Sequence, residues 1–204
     1  IRNALTNNDI KNLAVNRDVI GKADHDFKYK VKVSGITDQK SSGRCWMFTG
    51  LNTLRPLIIN SQKLSGFEFS TNYLYFWDLL EKSNLFLEGV LKYSDREMTD
   101  QTVDWFFKNP IGDGGVWNSF ANITAKYGVV PKTVMPETYH SENTGWINNI
   151  LSSKLREYGL KLRELKSKKA SDSEISKVKF EMISEIYRIL VLFLGEPPAQ
   201  FTYR

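Results

Sequence analysis

Apolar positions step along this chain in two rhythms, three-or-four and two, and the switches between them predict its elements. Residues 6–20 carry Ile10, Leu13 and Ala14 at helical spacing, with Thr6 or Asn7 as N-cap and Gly21 as the stop. Phe27, Tyr29, Val31 and Val33 then alternate with Lys28, Lys30 and Lys32, which predicts a strand with one basic face. A polar loop, 38–44, follows. From Cys45 the helical rhythm returns through Trp46, Phe48, Leu51 and Leu54, and Pro56 is expected to kink or end that helix early. Ser70 is set to cap a helix carrying Tyr73, Leu74, Phe76, Trp77 and Leu80. A short helix is expected within 99–108. Another should run over 118–127, closed by Gly128, and residues 129–145 are read as a loop.

The last third is a predicted helical hairpin. Ile147, Ile150, Leu151, Leu155, Tyr158, Leu162 and Leu165 form one apolar stripe; Ile175, Val178, Met182, Ile186, Ile189 and Phe193 form the other. Ser171 and Glu174 have capping-box spacing between the two helices, and the last turns, apolar all round, should be buried. Three stretches result: 1–34, a helix and strand segment; 35–145, a helical lobe; and 146–204, the hairpin. The fold class is α+β, mainly helical.

Composition narrows the chemistry. Among 204 residues there are one cysteine, Cys45, and two histidines, His25 and His140. One cysteine makes neither an internal disulfide nor a thiolate-rich metal site, so neither metal nor cofactor is expected. The longest apolar run, 189–194, is far short of the ~20 residues of a membrane span. The expected compartment is the cytoplasm, or the periplasm if a signal peptide preceded Ile1. The ending Pro197–Arg204 has no helix-closing character and reads as a cut inside a longer protein. Net charge is +5, and residues 151–204 carry +4 of it, with seven basic side chains between Lys154 and Lys169. Such a stripe can bind nucleic acid, but no aromatic is interleaved, and a solvated helix face with local Glu–Lys pairs is the favoured reading.

The loop Gln39-Lys40-Ser41-Ser42-Gly43-Arg44 leading into Cys45 is where the chemistry concentrates. The first N–H groups of a helix lack intrahelical acceptors and its dipole is positive there, so a cysteine in that place is favoured as thiolate. Arg44 and Lys40 add positive charge. Gly43 lets backbone approach a bound carbonyl, the Cys45 N–H faces the position of a developing oxyanion, and Gln39 can add a side-chain N–H. One such donor lowers a barrier by about 3–4 kcal/mol. The alternative for Cys45 is a small buried apolar residue, which the polar Ser-Ser-Gly-Arg context argues against. In the loop Gly112-Asp113-Gly114-Gly115, paired glycines leave backbone open to an extended peptide; a plain tight turn would use the same residues.

Gln39 and Ser42-Gly43-Arg44-Cys45-Trp46-Met47-Phe48 resemble the papain-like cysteine peptidases, and more narrowly the bleomycin hydrolase and bacterial aminopeptidase C branch. Ser42 stands where the papain pattern has a disulfide cysteine. The likeness continues through Phe67–Ser70, Tyr75–Asp78, Asp113–Trp117, Lys126–Lys132, Pro136–Tyr139 and Gly195–Pro198. It implies the helical lobe of a two-lobed peptidase with a helical insertion, its barrel-like lobe mostly absent here. It further implies Cys45 as nucleophile, Gln39 in the oxyanion hole, and Gly114 and Gly115, with Asp113 beside them, lining the substrate cleft. Trp46 and Trp117 are expected as walls beside that cleft. The general-base histidine and its asparagine would come from further along the chain; His25 and His140 match neither and are read as bystanders. A peptide substrate and a homo-oligomer, a hexamer in such relatives, are implied as partners. Aminopeptidase action rests on a C-terminal arm, and the isolated chain is expected to be inactive.

Overall fold

Asparagine and aspartate divide the first twenty residues. In the computed structural model, which describes residues 1–24, 26–31 and 35–202, the predicted helix over 6–20 is three short ones. These are α1 (Arg2–Asn7), α2 (Ile10–Ala14) and α3 (Arg17–Ile20). The Asp9 carboxylate accepts the Lys11 N–H at 2.9 Å and the Asn16 side chain accepts the Asp18 N–H at 3.0 Å. Each side chain starts a new helix where the periodicity suggested continuation, because Asx side chains compete for backbone N–H groups. The predicted strand is absent among its described residues: Phe27, Tyr29 and Val31 are exposed and carry no ladder, since alternation makes a strand only where a partner strand supplies hydrogen bonds. Lys32, Val33 and His25 lie outside the described residues.

The chain divides into two compact units, Ile1–Lys32 and Val33–Arg204. The second holds the helices α4 (Cys45–Gln62), α5 (Thr71–Lys92), α6 (Gln101–Lys108), α7 (Trp117–Tyr127), α8 (Tyr139–Glu142), α9 (Gly145–Ser167) and α10 (Asp172–Leu194). The mainly helical expectation holds; the described residues contain two isolated β-bridges, Ser41 with Asn143 and Phe69 with Pro131. Helix α4 runs through Pro56 to Gln62, correcting the early stop, and closes with Lys63 in the left-handed region at φ 53°. Proline removes one ladder bond, and here Pro56 is buried with Arg55 against the rest of the unit. Helix α8, within a predicted loop, is a single turn made by a reciprocal capping box between Thr138 and Ser141.

Helix α5 is the axis of this unit. It packs against α4, α6, α7, α9 and α10, and Leu74, Tyr75, Phe76, Leu79 and Leu87 on it are fully buried. Its start is tied to distant chain. The Ser70 hydroxyl accepts the Tyr73 N–H at 3.0 Å and donates to the Met135 carbonyl at 2.5 Å. The Asn72 amide donates to the carbonyls of Pro136 and Leu194, each at 2.8 Å. The predicted α9 stripe faces α5, with Ile147, Leu151, Leu155 and Leu162 fully buried. On α10 the predicted stripe holds through Ile186 and then shifts by one position, with Leu190 and Leu194 buried and Ile189 and Phe193 half-buried. Hairpin and helical lobe thus share one core. The final turns of α10 are not buried all round, because Leu192 is 82% exposed on the side away from α5. No helix among the described residues is long and apolar enough to cross a membrane.

Candidate functional site

The loop 39–44 is closed on itself before it reaches Cys45. The Ser42 hydroxyl donates to the Gln39 carbonyl at 2.5 Å, and the Gln39 side-chain amide donates to the Ser42 carbonyl at 2.6 Å. One of the two N–H bonds of that amide is thereby used and the other is left over. Lys40 sits at φ 54°, its ammonium 3.0 Å from the Asp38 carboxylate. The Ser41 carbonyl accepts the Thr144 N–H at 3.2 Å, tying the loop to the start of α9.

Asp113 clamps the other side. Its Oδ2 accepts the Gly43 N–H at 2.6 Å and the Thr144 hydroxyl at 2.5 Å, and its backbone carbonyl accepts the Trp46 indole N–H at 2.9 Å. A Cβ at Gly43 would fall on the Asp113 carboxylate, so only glycine fits. Asp113, expected among the substrate-lining residues, turns its carboxylate onto the loop that carries Cys45.

Arg44, fully buried, supports the loop from beneath. It donates to the Glu137 carboxylate at 2.8 Å and to the Ser42 hydroxyl at 3.1 Å, and its guanidinium lies over the rings of Phe48 and Tyr75. Glu137 also accepts from the Ser141 hydroxyl at 2.5 Å. The expectation that Arg44 and Lys40 add free positive charge beside Cys45 is therefore corrected: each is paired with a carboxylate. Burial, together with the charge of Asp113, holds the Tyr75 phenol neutral well above its usual range.

Cys45 is the first residue of α4 and is exposed. Arg44 O takes the N–H groups of Met47 and Phe48, while those of Cys45 and Trp46 have no acceptor among the described residues. The thiol thus stands at a helix N-terminus beside an unengaged backbone donor, with one Gln39 N–H also unengaged. That is the equipment for nucleophilic attack on a carbonyl followed by stabilisation of an oxyanion.

The two glycines differ in role. A Cβ at Gly115 would meet the Trp46 ring at 2.5 Å, whereas at Gly114 it would meet nothing within 4 Å. Gly115 is exposed, and its N–H and C=O make no hydrogen bond among the described residues, leaving both free for an extended chain. The Gly114 carbonyl is taken by the Lys82 ammonium at 2.7 Å. Lys82 also donates to the Gly112 carbonyl at 2.9 Å and pairs with Asp78 at 2.6 Å. Sequence reasoning missed Lys82, Asp78, Glu137 and Thr144. The i,i+4 spacing of Asp78 and Lys82, and the place of Asp78 and Glu137 inside motifs of the family likeness, were the available signals. Trp46 is buried as expected of a wall, but Trp117 is 59% exposed and is not.

The His140 ring packs edge-on against Phe193 at 4.6 Å and Tyr139 at 5.3 Å, its Nδ1 buried without a partner; no hydrogen bond joins it to Cys45. Among the described residues no group of three or more His, Cys, Asp or Glu side chains is placed to hold a metal ion. On the hairpin, five of the seven basic side chains between 154 and 169 are engaged internally. Lys154 pairs with Glu157 and Glu185, Lys166 with Asp172, and Lys168 with Glu164. Arg156 and Arg163 donate to backbone carbonyls of Phe107, Lys108, Tyr93 and Arg96.

Comparison with known proteins gives a consistent answer. The model of the peptidase C1-like family matches residues 1–204. Aminopeptidase C of Lactobacillus delbrueckii subsp. lactis is 43% identical over 180 residues, covering 88% of this chain and 40% of that protein. Human bleomycin hydrolase is 38% identical over 206 residues, covering 99% of this chain and 45% of that one. The crystal structure of PepW from Lactobacillus rhamnosis superposes with a TM-score of 0.88 at 43% identity, over 91% of this chain and 42% of PepW. The chain thus spans less than half the length of these relatives, and its fold is the helical lobe seen in such enzymes.

Proposed function

The chain belongs to the peptidase C1-like family, and from that premise we propose that it is the nucleophile-bearing N-terminal part of a cysteine aminopeptidase. The Cys45 sulfur attacks the carbonyl carbon of a peptide bond, and the carbonyl oxygen takes up negative charge. The Cys45 N–H and the unengaged Gln39 N–H donate to that oxygen. Collapse of the tetrahedral species expels the amine, which carries away the proton first taken from the thiol, and leaves an acyl-thioenzyme. Water attacks the thioester carbonyl in the second half, restoring the thiol and releasing the acid. Gly115 pairs its free N–H and C=O with the substrate backbone.

The proton carrier in both halves is a histidine supplied from outside these 204 residues: neither His25 nor His140 stands in a motif of the family's histidine, and His140 is packed against Phe193 and Tyr139. Members of such a set act as a unit, so the isolated chain is expected to show no turnover. The observation that carries the reading is an exposed Cys45 at the first position of α4, beside N–H groups without acceptors, on a loop clamped by Asp113. The test is hydrolysis of an aminoacyl fluorogenic substrate. The complete protein should be active and its Cys45→Ser variant inactive. Co-production of the chain with its C-terminal remainder should restore activity that the chain alone lacks. Cys45-dependent turnover by the chain alone would overturn the external base. A homo-oligomer, built partly on the exposed Phe180 and Leu192 of α10, is part of the same reading and is checked by light scattering.

A further inference from the structure

Lys82 lies under the glycine loop and does more than pair with its helical neighbour. Its ammonium has three donors and all three have acceptors: Asp78 Oδ2 at 2.6 Å, Gly114 O at 2.7 Å and Gly112 O at 2.9 Å. It also lies 5.4 Å from the centre of the Trp46 ring, the same ring whose packing forbids a side chain at Gly115. Asp78 is buried and comes from the preceding turn of α5, so the ammonium is anchored in the core and reaches outward only to the loop. Two alternate carbonyls, 112 and 114, are thereby held by one ammonium. The next residue, Gly115, keeps its N–H and C=O unpaired and exposed. The loop borders a cleft of about 380 Å³ lined by Lys82 itself and by Leu85, Trp105, Phe106 and Ile111.

We infer that Lys82 is a positioning residue for substrate: by holding the carbonyls of Gly112 and Gly114 it sets the loop so that Gly115 can pair with an extended peptide. This rests on the cysteine-peptidase reading. Without the ammonium, the carbonyls of 112 and 114 lose their donor and the loop is held only at Asp113 between them. Binding of the peptide backbone then bears the cost of ordering the loop. Asp113, between the two carbonyls, keeps its own bonds to Gly43, Thr144 and Trp46, and Ser42 and Arg44 keep theirs, so the nucleophile loop stays held. The effect therefore falls on substrate binding and not on the thiol.

The test is steady-state kinetics on the complete protein with an aminoacyl or dipeptidyl substrate. Lys82→Met is expected to raise KM by about tenfold, the loss expected of one charge-assisted contact, with kcat within about twofold. The rate of Cys45 alkylation by iodoacetamide should not change. Lys82→Arg, which keeps the charge and reaches both carbonyls, should recover most of the affinity. If Lys82→Met does not fold, Asp78→Asn releases the ammonium from its anchor and is expected to raise KM in the same direction by a smaller factor. An unchanged KM in a folded variant overturns the inference. So does a fall in kcat matched by slower alkylation, which would assign Lys82 to the nucleophile. Failure of the underlying reading gives a different result: Cys45→Ser would then leave turnover intact, and the role of Lys82 would fall with it.

Discussion

Replacing Asp113 by alanine removes the clamp between the nucleophile loop and the start of α9. Two hydrogen bonds to one carboxylate are lost, from Gly43 N–H at 2.6 Å and from the Thr144 hydroxyl at 2.5 Å. Hydrogen bonds to a charged group contribute about 1.5–3 kcal/mol each, so the gross loss is about 3–6 kcal/mol. Asp113 is half-buried, and water entering the space satisfies part of what is released, which brings the net to about 2–3 kcal/mol. At this chain length each kcal/mol shifts Tm by about 2–4 °C, so the midpoint should fall by about 4–12 °C. Thermal unfolding followed by far-ultraviolet circular dichroism measures it. Asp113→Asn keeps an acceptor and the shape and should lose only about 1 kcal/mol. On the proposed mechanism, in which this loop carries both oxyanion donors, Asp113→Ala should also lower kcat of the complete protein by up to about a hundredfold. A Tm for Asp113→Ala within 1 °C of the parent would refute the clamp.

Three further outcomes follow from the same geometry. Burial pushes the Asp78 carboxyl up to about 6 from 3.8, against the opposing pull of Lys82. The folded state therefore binds that proton more tightly than the unfolded chain does. The stability it contributes is complete below about pH 3.8 and is lost as pH rises through 6. In urea melts from pH 4 to 7, the parent should lose on the order of 2–3 kcal/mol relative to Asp78→Asn; parallel pH profiles would contradict this. Gly115→Ala forces a Cβ into the Trp46 ring and should destabilise by about 1–3 kcal/mol, while Gly114→Ala, facing open space, should stay within about 0.5 kcal/mol; equal melting points for the two would be the wrong result. Arg44→Met leaves the Glu137 carboxylate largely buried with Ser141 alone, and a loss of about 3–5 kcal/mol is expected in chemical denaturation, against a near-neutral result if the pair were dispensable.

What was legible in the sequence is what is local. The α9 stripe, the Ser70 and Ser171 caps and the Gly128 stop each depend on residues within a few positions, and each is found, while the α10 stripe is found through Ile186 and shifts beyond it to Leu190 and Leu194. The same holds for Cys45 at the head of α4. What was not legible depends on partners far along the chain. The inward turn of Asp113 is set by Gly43, 70 residues before it, and Thr144, 31 after it. Lys82 acts on carbonyls 30 and 32 residues away. Arg44 reads as a free charge until Glu137, 93 residues on, is placed against it. The alternation over 27–31 names a strand only on condition of a partner strand, and spacing is silent about that.

The tie from Asn72 to Leu194 has a consequence for synthesis. The two residues lie 122 apart, and Asn72 heads the helix on which the whole unit is packed. A ribosome adding about 5–20 residues per second needs about 6–24 s to cover that distance. Over that interval the nascent chain already carries its thiol, but α5 has no hairpin to cover its apolar faces. The segment that carries Cys45 is thus made early, and the core that supports it closes only when α10 is complete.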